Sequence, residues 1–171
     1  MKIVRIFDGR LYSVNETGEH ELRRVLRLWK DFSYVYHFLS ENRNDLPAEA
    51  TIEQLAESII DNAFDIEDSI MKLARAKGAK LEEFFKPLNN HEYQVRKLAG
   101  QKGRKNYLRI YAIKIDDNCF LITGGAIKLT QFMEEREHTN IELKKIKKYR
   151  DYLVEEQVFD APSFNDFLNE Q

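Results

Sequence analysis

Cysteine is almost absent from this chain. Cys119 is the only one, so neither an internal disulfide nor a cysteine-based zinc site can form. Its apolar setting, Cys119 to Thr123, reads as a small buried hydrophobe rather than a reactive thiol. Histidine is sparse too: His20, His37, His91 and His138 make no His-x-His or His-x-x-x-His pair, and no metal site is expected. Gly124-Gly125 lacks the context of a nucleotide-binding loop, no serine sits in a nucleophile elbow, and no cofactor is expected. No apolar run approaches the length that spans a bilayer, and the N-terminal one is too short for a signal peptide. The expectation is a protein without membrane attachment in a reducing cytoplasm.

What the chain does have is charge, and it is segregated. Hydrophobic residues make up 43% of the 171 and charged residues 33%, a composition that can bury one core and predicts a single domain over 1–171. The net charge of −2 excludes coating nucleic acid by bulk attraction. Yet Arg96, Lys97, Lys102, Arg104, Lys105, Arg109 and Lys114 follow one another with no acid between them. From Glu41 to Asp68 the balance reverses, with nine acids against Arg43 alone.

The pattern predicts an α+β fold: a small antiparallel or mixed sheet flanked by helices, with an N-terminal β-hairpin. Residues 1–78 hold the hairpin and two helices, 79–155 the main sheet and a helix, and 160–171 a tail. Asp8-Gly9 between β-prone runs signals the hairpin. Apolar residues from Leu22 to Leu39 at three- and four-residue steps predict one helix over about 19–41. Thr51 and Gln54 fit a capping box opening an acidic-faced helix that Gly78 stops. A short helix is expected near 80–85, a strand over 92–99, and a basic loop over 100–104. Thr139 with Glu142 reads as a second capping box, opening a helix that runs to about Phe159.

The organising segment is 105–131. Alternation puts Leu108, Ile110 and Ala112 on one face and Tyr107, Arg109 and Tyr111 on the other. Two aromatic rings flanking a guanidinium suit stacked bases and phosphates. Arg96, Arg109, Tyr111 and Lys128 are the candidate catalytic group, with Lys97, Arg104, Lys105, Tyr107 and Gln131 as candidate RNA contacts. Such a set can cleave RNA without a metal: the 2′-hydroxyl attacks phosphorus, arginines stabilise the growing charge, and a lysine or tyrosine moves protons. The bland alternative is an ordinary exposed sheet face and a solvated charge run.

The chain resembles the RelE/ParE toxin superfamily, nearest its HigB-like branch. The resemblance runs through Phe85-Lys86-Pro87-Leu88, Tyr93-Gln94-Val95-Arg96, Tyr107-Leu108-Arg109-Ile110-Tyr111, Cys119 to Ile122, and the loop from Gly124 to Gln131. It implies a metal-independent endoribonuclease acting on messenger RNA, often at the ribosome, and held inactive by an antitoxin protein. It also implies that Arg96 and Arg109 contact phosphate, that Lys128 sits at the scissile group, and that Tyr111 stacks or handles a proton. Leu129 stands where the family carries a second lysine and Gln94 where it carries a glutamate. Two other readings therefore stay open: a catalytically inactive relative that binds a protein partner, and the ParE branch, whose members target gyrase. The acidic helix is either a solvated face or a cover over the basic strands.

Overall fold

The structure, a computed structural model, describes residues 1–88, 97–130 and 135–171. In chain order its strands are β1 (Lys2–Phe7), β2 (Leu11–Asn15), β3 (Lys86–Pro87), β4 (Gly100–Lys105), β5 (Leu108–Asp116) and β6 (Cys119–Ile127). The helices are α1 (Glu21–Trp29), α2 (Phe32–Glu41), α3 (Ile52–Arg75), α4 (Glu137–Glu155) and α5 (Ala161–Glu170). The six strands make one sheet in the order β1-β2-β6-β5-β4-β3. All neighbours are antiparallel except β2 and β6, which run parallel where the N-terminal hairpin joins the rest.

Helices cover both faces of the sheet, and the alternation of β5 and β6 assigns residues to each. Leu108, Ile110, Ala112, Phe120 and Ile122 pack against α1, α2 and α3, where Val25, Trp29, Leu39, Ile59 and Ile66 meet them. Tyr111, Ile113, Ile115, Cys119 and Leu121 face the other way, onto Ile146, Tyr149 and Leu153 of α4 and Phe164 and Phe167 of α5. Cys119 is buried as expected, and burial pushes its thiol up to about 12. The C-terminal tail docks as α5, its edge-on Phe164 ring 4.9 Å from Tyr12. Among the described residues no helix is long and apolar enough to cross a membrane.

Local chemistry sets several boundaries. Thr51 and Gln54 form the expected reciprocal capping box of α3. The hairpin turn is present, but it holds three residues, because Phe7 pairs with Leu11 and only Gly9 takes a positive φ. The single helix expected over 19–41 is two. Asp31 accepts a hydrogen bond from the Tyr34 backbone N–H at 3.0 Å and starts α2 afresh, so a capping aspartate overrides an unbroken apolar period. The short helix at 80–85 shrinks to a single turn, Leu81–Glu83.

Two further expectations are corrected, and one open alternative is decided. The basic loop at 100–104 is strand β4, paired with β5 throughout. Its glycines make room rather than turns: a Cβ on Gly103 would lie 1.8 Å from the Phe84 ring, and one on Gly100 3.3 Å from Ile146. Thr139 does not cap α4, which begins at Glu137; its hydroxyl donates to the Arg136 carbonyl instead. Of the two readings of the acidic helix, the solvated face holds: α3 lies over β4 and β5, but not over the face that carries Arg109. It packs against the face that carries Leu108 and Ile110, so its exposed acids, Glu53, Glu57, Asp61, Asp65 and Asp68, lie on the opposite side of the sheet from Arg109. The strand expected over 92–99 falls mainly outside the described residues.

Gly103→Ala would force a methyl group into the Phe84 ring. The expected loss is about 1–3 kcal/mol of unfolding free energy, and adding Phe84→Ala in the same chain should make the alanine at 103 nearly neutral. Urea denaturation of the three variants checks both.

Candidate functional site

Strands β4 and β5 bring a set of cations together. Cross-strand pairing places Arg104 opposite Arg109 and Lys102 opposite Tyr111. By the two-residue period all four side chains fall on the α4 face of the sheet, where Tyr111 packs. Arg104 is exposed, and Lys102 and Arg109 are partly buried. None of the three cations has a carboxylate partner among the described residues, unlike Lys114 on the other face, which pairs with Glu82 and Asp117. Burial lowers the pKa of Lys102, and Arg109 and Arg104 lower it further. Arg109 is lowered as well, first by burial, with Arg104 adding to it against the opposing phenol of Tyr111. Like charges crowd here in a partly desolvated setting, which favours an anion as ligand.

Arg109 is held by the turn it follows. Asn106 adopts a φ of 51° in the β4–β5 turn. The Arg109 Nη1 donates to the Asn106 carbonyl, and also to that of Leu108 at 3.0 Å. Nε and Nη2 make no hydrogen bond among the described residues and remain available to a phosphate. The Lys128 backbone N–H donates to the Tyr107 carbonyl at 2.7 Å, which fixes the end of β6 beside the same turn. Ile127 and Leu129 both belong to the α1–α3 core, so alternation puts Lys128 on the Arg109 side.

Other expected members lie elsewhere. Tyr107 sits in the turn and packs against the α1–α3 core, not beside Arg109. Lys105 pairs with Leu108 and faces the same way as Tyr107, because the turn interrupts the alternation read from the sequence. Tyr111 is on the expected face but fully buried, and burial raises its phenol pKa. It is therefore unavailable for base stacking. Lys97 lies beyond the far end of β4, its Nζ 5.4 Å from the centre of the Phe159 ring. The span from Gly100 to Arg104 alone is about 13 Å of strand, which separates Lys97 from the cationic group. Arg96 and Gln131 lie outside the described residues.

Two features escape a reading of the sequence. Lys102 is central to the cationic face, yet its glycine-flanked setting reads as a loop. A buried ion quartet also links α1 to α4. Arg24 donates from Nε and Nη2 to Glu21 at 2.9 and 2.8 Å, and Lys145 reaches Glu21 at 2.7 Å and Glu142 at 3.3 Å. Glu21 and Glu142 are each only 6% exposed. Burial pushes Glu21 up, but its hydrogen bonds to Arg24 and Lys145 hold its pKa below the ordinary value. Glu142 receives less: burial and the charge of Glu21 outweigh Lys145, and its pKa rises to about 6. One signal is there to be read, since Glu142 stands in step with Ile146, Tyr149 and Leu153 on the apolar stripe of α4. Among the described residues no three His, Cys, Asp or Glu side chains gather as metal ligands.

The raised pKa of Glu142 has a definite stability sign. The folded state binds its proton more tightly than the unfolded chain, so this group costs nothing below about pH 4.5 and most above about pH 6, by up to about 2 kcal/mol. Glu142→Gln should therefore raise unfolding free energy at pH 7.5 by about 1–2 kcal/mol and leave it nearly unchanged near pH 4.5. Denaturant titrations at the two pH values measure the difference.

The chain matches no protein-family model, no curated protein and no solved structure.

Proposed function

We propose that the β4–β5 face binds RNA through its phosphates, and that the chain is a toxin-like endoribonuclease of the RelE/ParE kind that needs no metal for cleavage. The observation that carries this reading is the group Lys102, Arg104 and Arg109: three cations on one exposed-to-half-buried face, with no carboxylate beside them among the described residues. In cleavage the RNA 2′-oxygen bonds to phosphorus and the bond from phosphorus to the 5′-oxygen breaks. The products are a 2′,3′-cyclic phosphate and a 5′-hydroxyl. Arg104 and Arg109 stabilise the charge on the phosphorane oxygens. Lys102, with its pKa lowered, takes the proton of the 2′-hydroxyl or supplies one to the departing oxygen. Lys128, at the edge of the same face, is a further phosphate contact. The order of three strands and a helix from 100 to 155 is compatible with the resemblance in the sequence. Messenger RNA is the expected substrate, an antitoxin protein the expected inhibitor and the cytoplasm the expected location.

A second reading has its own support. Leu129, where the family has a second lysine, packs into the α1–α3 core, and the Tyr111 hydroxyl is sealed from solvent. Two positions that handle protons or phosphate in the family thus present nothing at this face. On that reading the chain keeps the fold and binds a protein partner without cutting RNA.

One set of variants separates the readings. Arg104→Ala, Arg109→Ala and Lys102→Ala should each weaken binding of a single-stranded RNA by about tenfold at low salt. Each should also reduce the slope of log K against log salt by about 0.7 for every phosphate that is no longer neutralised. Lys102→Ala should in addition stop cleavage under conditions where RNA is saturating, and the products of the unaltered chain should carry cyclic phosphate ends. RNA binding that is unchanged in all three variants sinks the nuclease reading. Intact binding with no cleavage by the unaltered chain favours the second.

A further inference from the structure

Strand β6 pairs with β2 only from Phe120 to Ile122. Past that point two groups occupy most of the lane that β2 leaves. The Glu21–Arg24–Glu142–Lys145 group joins α1 to α4 beside Gly124. The His138 ring closes the lane at Ile127, its Nε2 lying 2.9 Å from the Ile127 carbonyl. What is left is a gap one residue long at Gly125, the only residue of β6 that is not fully buried.

The phase of the β5–β6 bonds turns the backbone of Gly125 into that gap. Lys128 donates to Tyr107 across the ladder, so Tyr107 and Lys128, Arg109 and Ala126, and Tyr111 and Gly124 are the bonded pairs. Gly125 therefore points its N–H and C=O away from β5, and neither makes a hydrogen bond among the described residues. The gap opens onto a cavity of about 190 Å³ between α1, α2 and α4. Val25, Leu28, Trp29, Phe38 and Ile141 give it apolar walls. Arg24 and Glu142 also reach its lining, but they belong to a group of two acids and two bases, so that wall carries no net charge.

We propose that this cavity binds an adenine ring with its amino edge against Gly125. One strand residue offers a donor and an acceptor side by side, and a facing residue in a sheet exchanges both bonds with it. A flat ring with an acceptor beside a donor does the same within the length of one residue, where a strand has no room to run on. Adenine carries that pair twice, because a ring nitrogen flanks its amino group on either side. Uncharged, apolar walls favour it over the other bases, since it has no carbonyl oxygen to strip of water. A cavity of about 150 Å³ holds benzene, so this one admits a single ring system. The adenine belongs either to a free nucleoside or to an RNA strand. The site lies on the β2 side of β6, away from β4, and the inference does not rest on the RNA reading.

Gly124-Gly125 is the only Gly-Gly pair in the chain. With glycine isotope-labelled at its nitrogen and its carbonyl carbon, only the Gly125 amide follows a labelled carbonyl, and its NMR signal is identified without a substitution. Adenosine titrated into the full chain should move that signal saturably and change the emission of Trp29, the sole tryptophan. Adenosine dimethylated on its amino group can no longer donate and should bind about tenfold more weakly or worse. Ile141→Asp, at a position 48% exposed on the cavity wall, should weaken adenosine comparably. A short single-stranded RNA with one adenine separates the two sources. Binding about tenfold tighter than adenosine, with the advantage lost in Arg109→Ala, assigns the ring to RNA. Equal affinity assigns it to a free nucleoside and leaves the site standing even if the RNA reading falls. The proposal is overturned if the Gly125 signal stays unmoved as adenosine nears its solubility limit, if Trp29 emission alone responds, or if the dimethylated analogue binds as tightly.

Discussion

Strand β6 is pressed from both sides, and the rest of the molecule adjusts to that pressure. Between Cys119 and Ile127 only Gly125 is not fully buried. A Cβ on Gly124 would lie 2.0 Å from Glu142 Oε2, and one on Gly125 2.8 Å from both the Trp29 ring and the Arg109 carbonyl. Two helices, one on each face, therefore close onto bare backbone at adjacent residues. No side chain larger than hydrogen fits there without a shift, and the glycine pair is a packing requirement rather than a flexible loop. The Thr123 bulge keeps both glycines aimed at the correct layers after the ladder shifts.

The same closeness explains why charge is buried at the junction. Helices α1 and α4 lie on opposite faces, yet they meet around the end of β6 that extends past β2, and the meeting is made by Glu21, Arg24, Glu142 and Lys145. Two acids and two bases balance, but their geometry is unequal, and Glu142 retains an oxygen with no hydrogen-bond partner among the described residues. Such quartets contribute less to stability than to fixing which elements meet, since apolar replacements often pack as well. Here it defines how the helix following the sheet docks beside the helix preceding it.

Much of the architecture is legible because burial writes a period. The two-residue alternation of β5, the apolar run from Cys119 to Ile122 in β6 and the Thr51 capping box all translate directly into structure. The pattern misleads where one local contact outweighs it. Asp31 splits a continuous apolar stripe into α1 and α2. Gly100 and Gly103 suggest a loop by composition but sit in β4, where Ile146 and the Phe84 ring respectively take the space a side chain would fill. Of the candidate site, Arg104 and Arg109 come together as the charge run suggests. Lys105 and Tyr107 fall on the other face because a turn resets the alternation, which no count of residues in a single strand can foresee. Lys102 is hidden by the same loop-like composition, and Glu142 by a plausible cap beside a helix that in fact starts earlier.

The placement of α3 has a consequence for encounter. Its row of exposed carboxylates and the Lys102–Arg104–Arg109 group occupy opposite sides of one sheet, so a net charge of −2 contains a local separation of sign across β4 and β5. A polyanion approaching in solution experiences torque before it makes contact: the molecule rotates to present its cationic side and turns the carboxylates outward. Orientation is thus selected at a distance of roughly one screening length, about 8 Å at physiological salt.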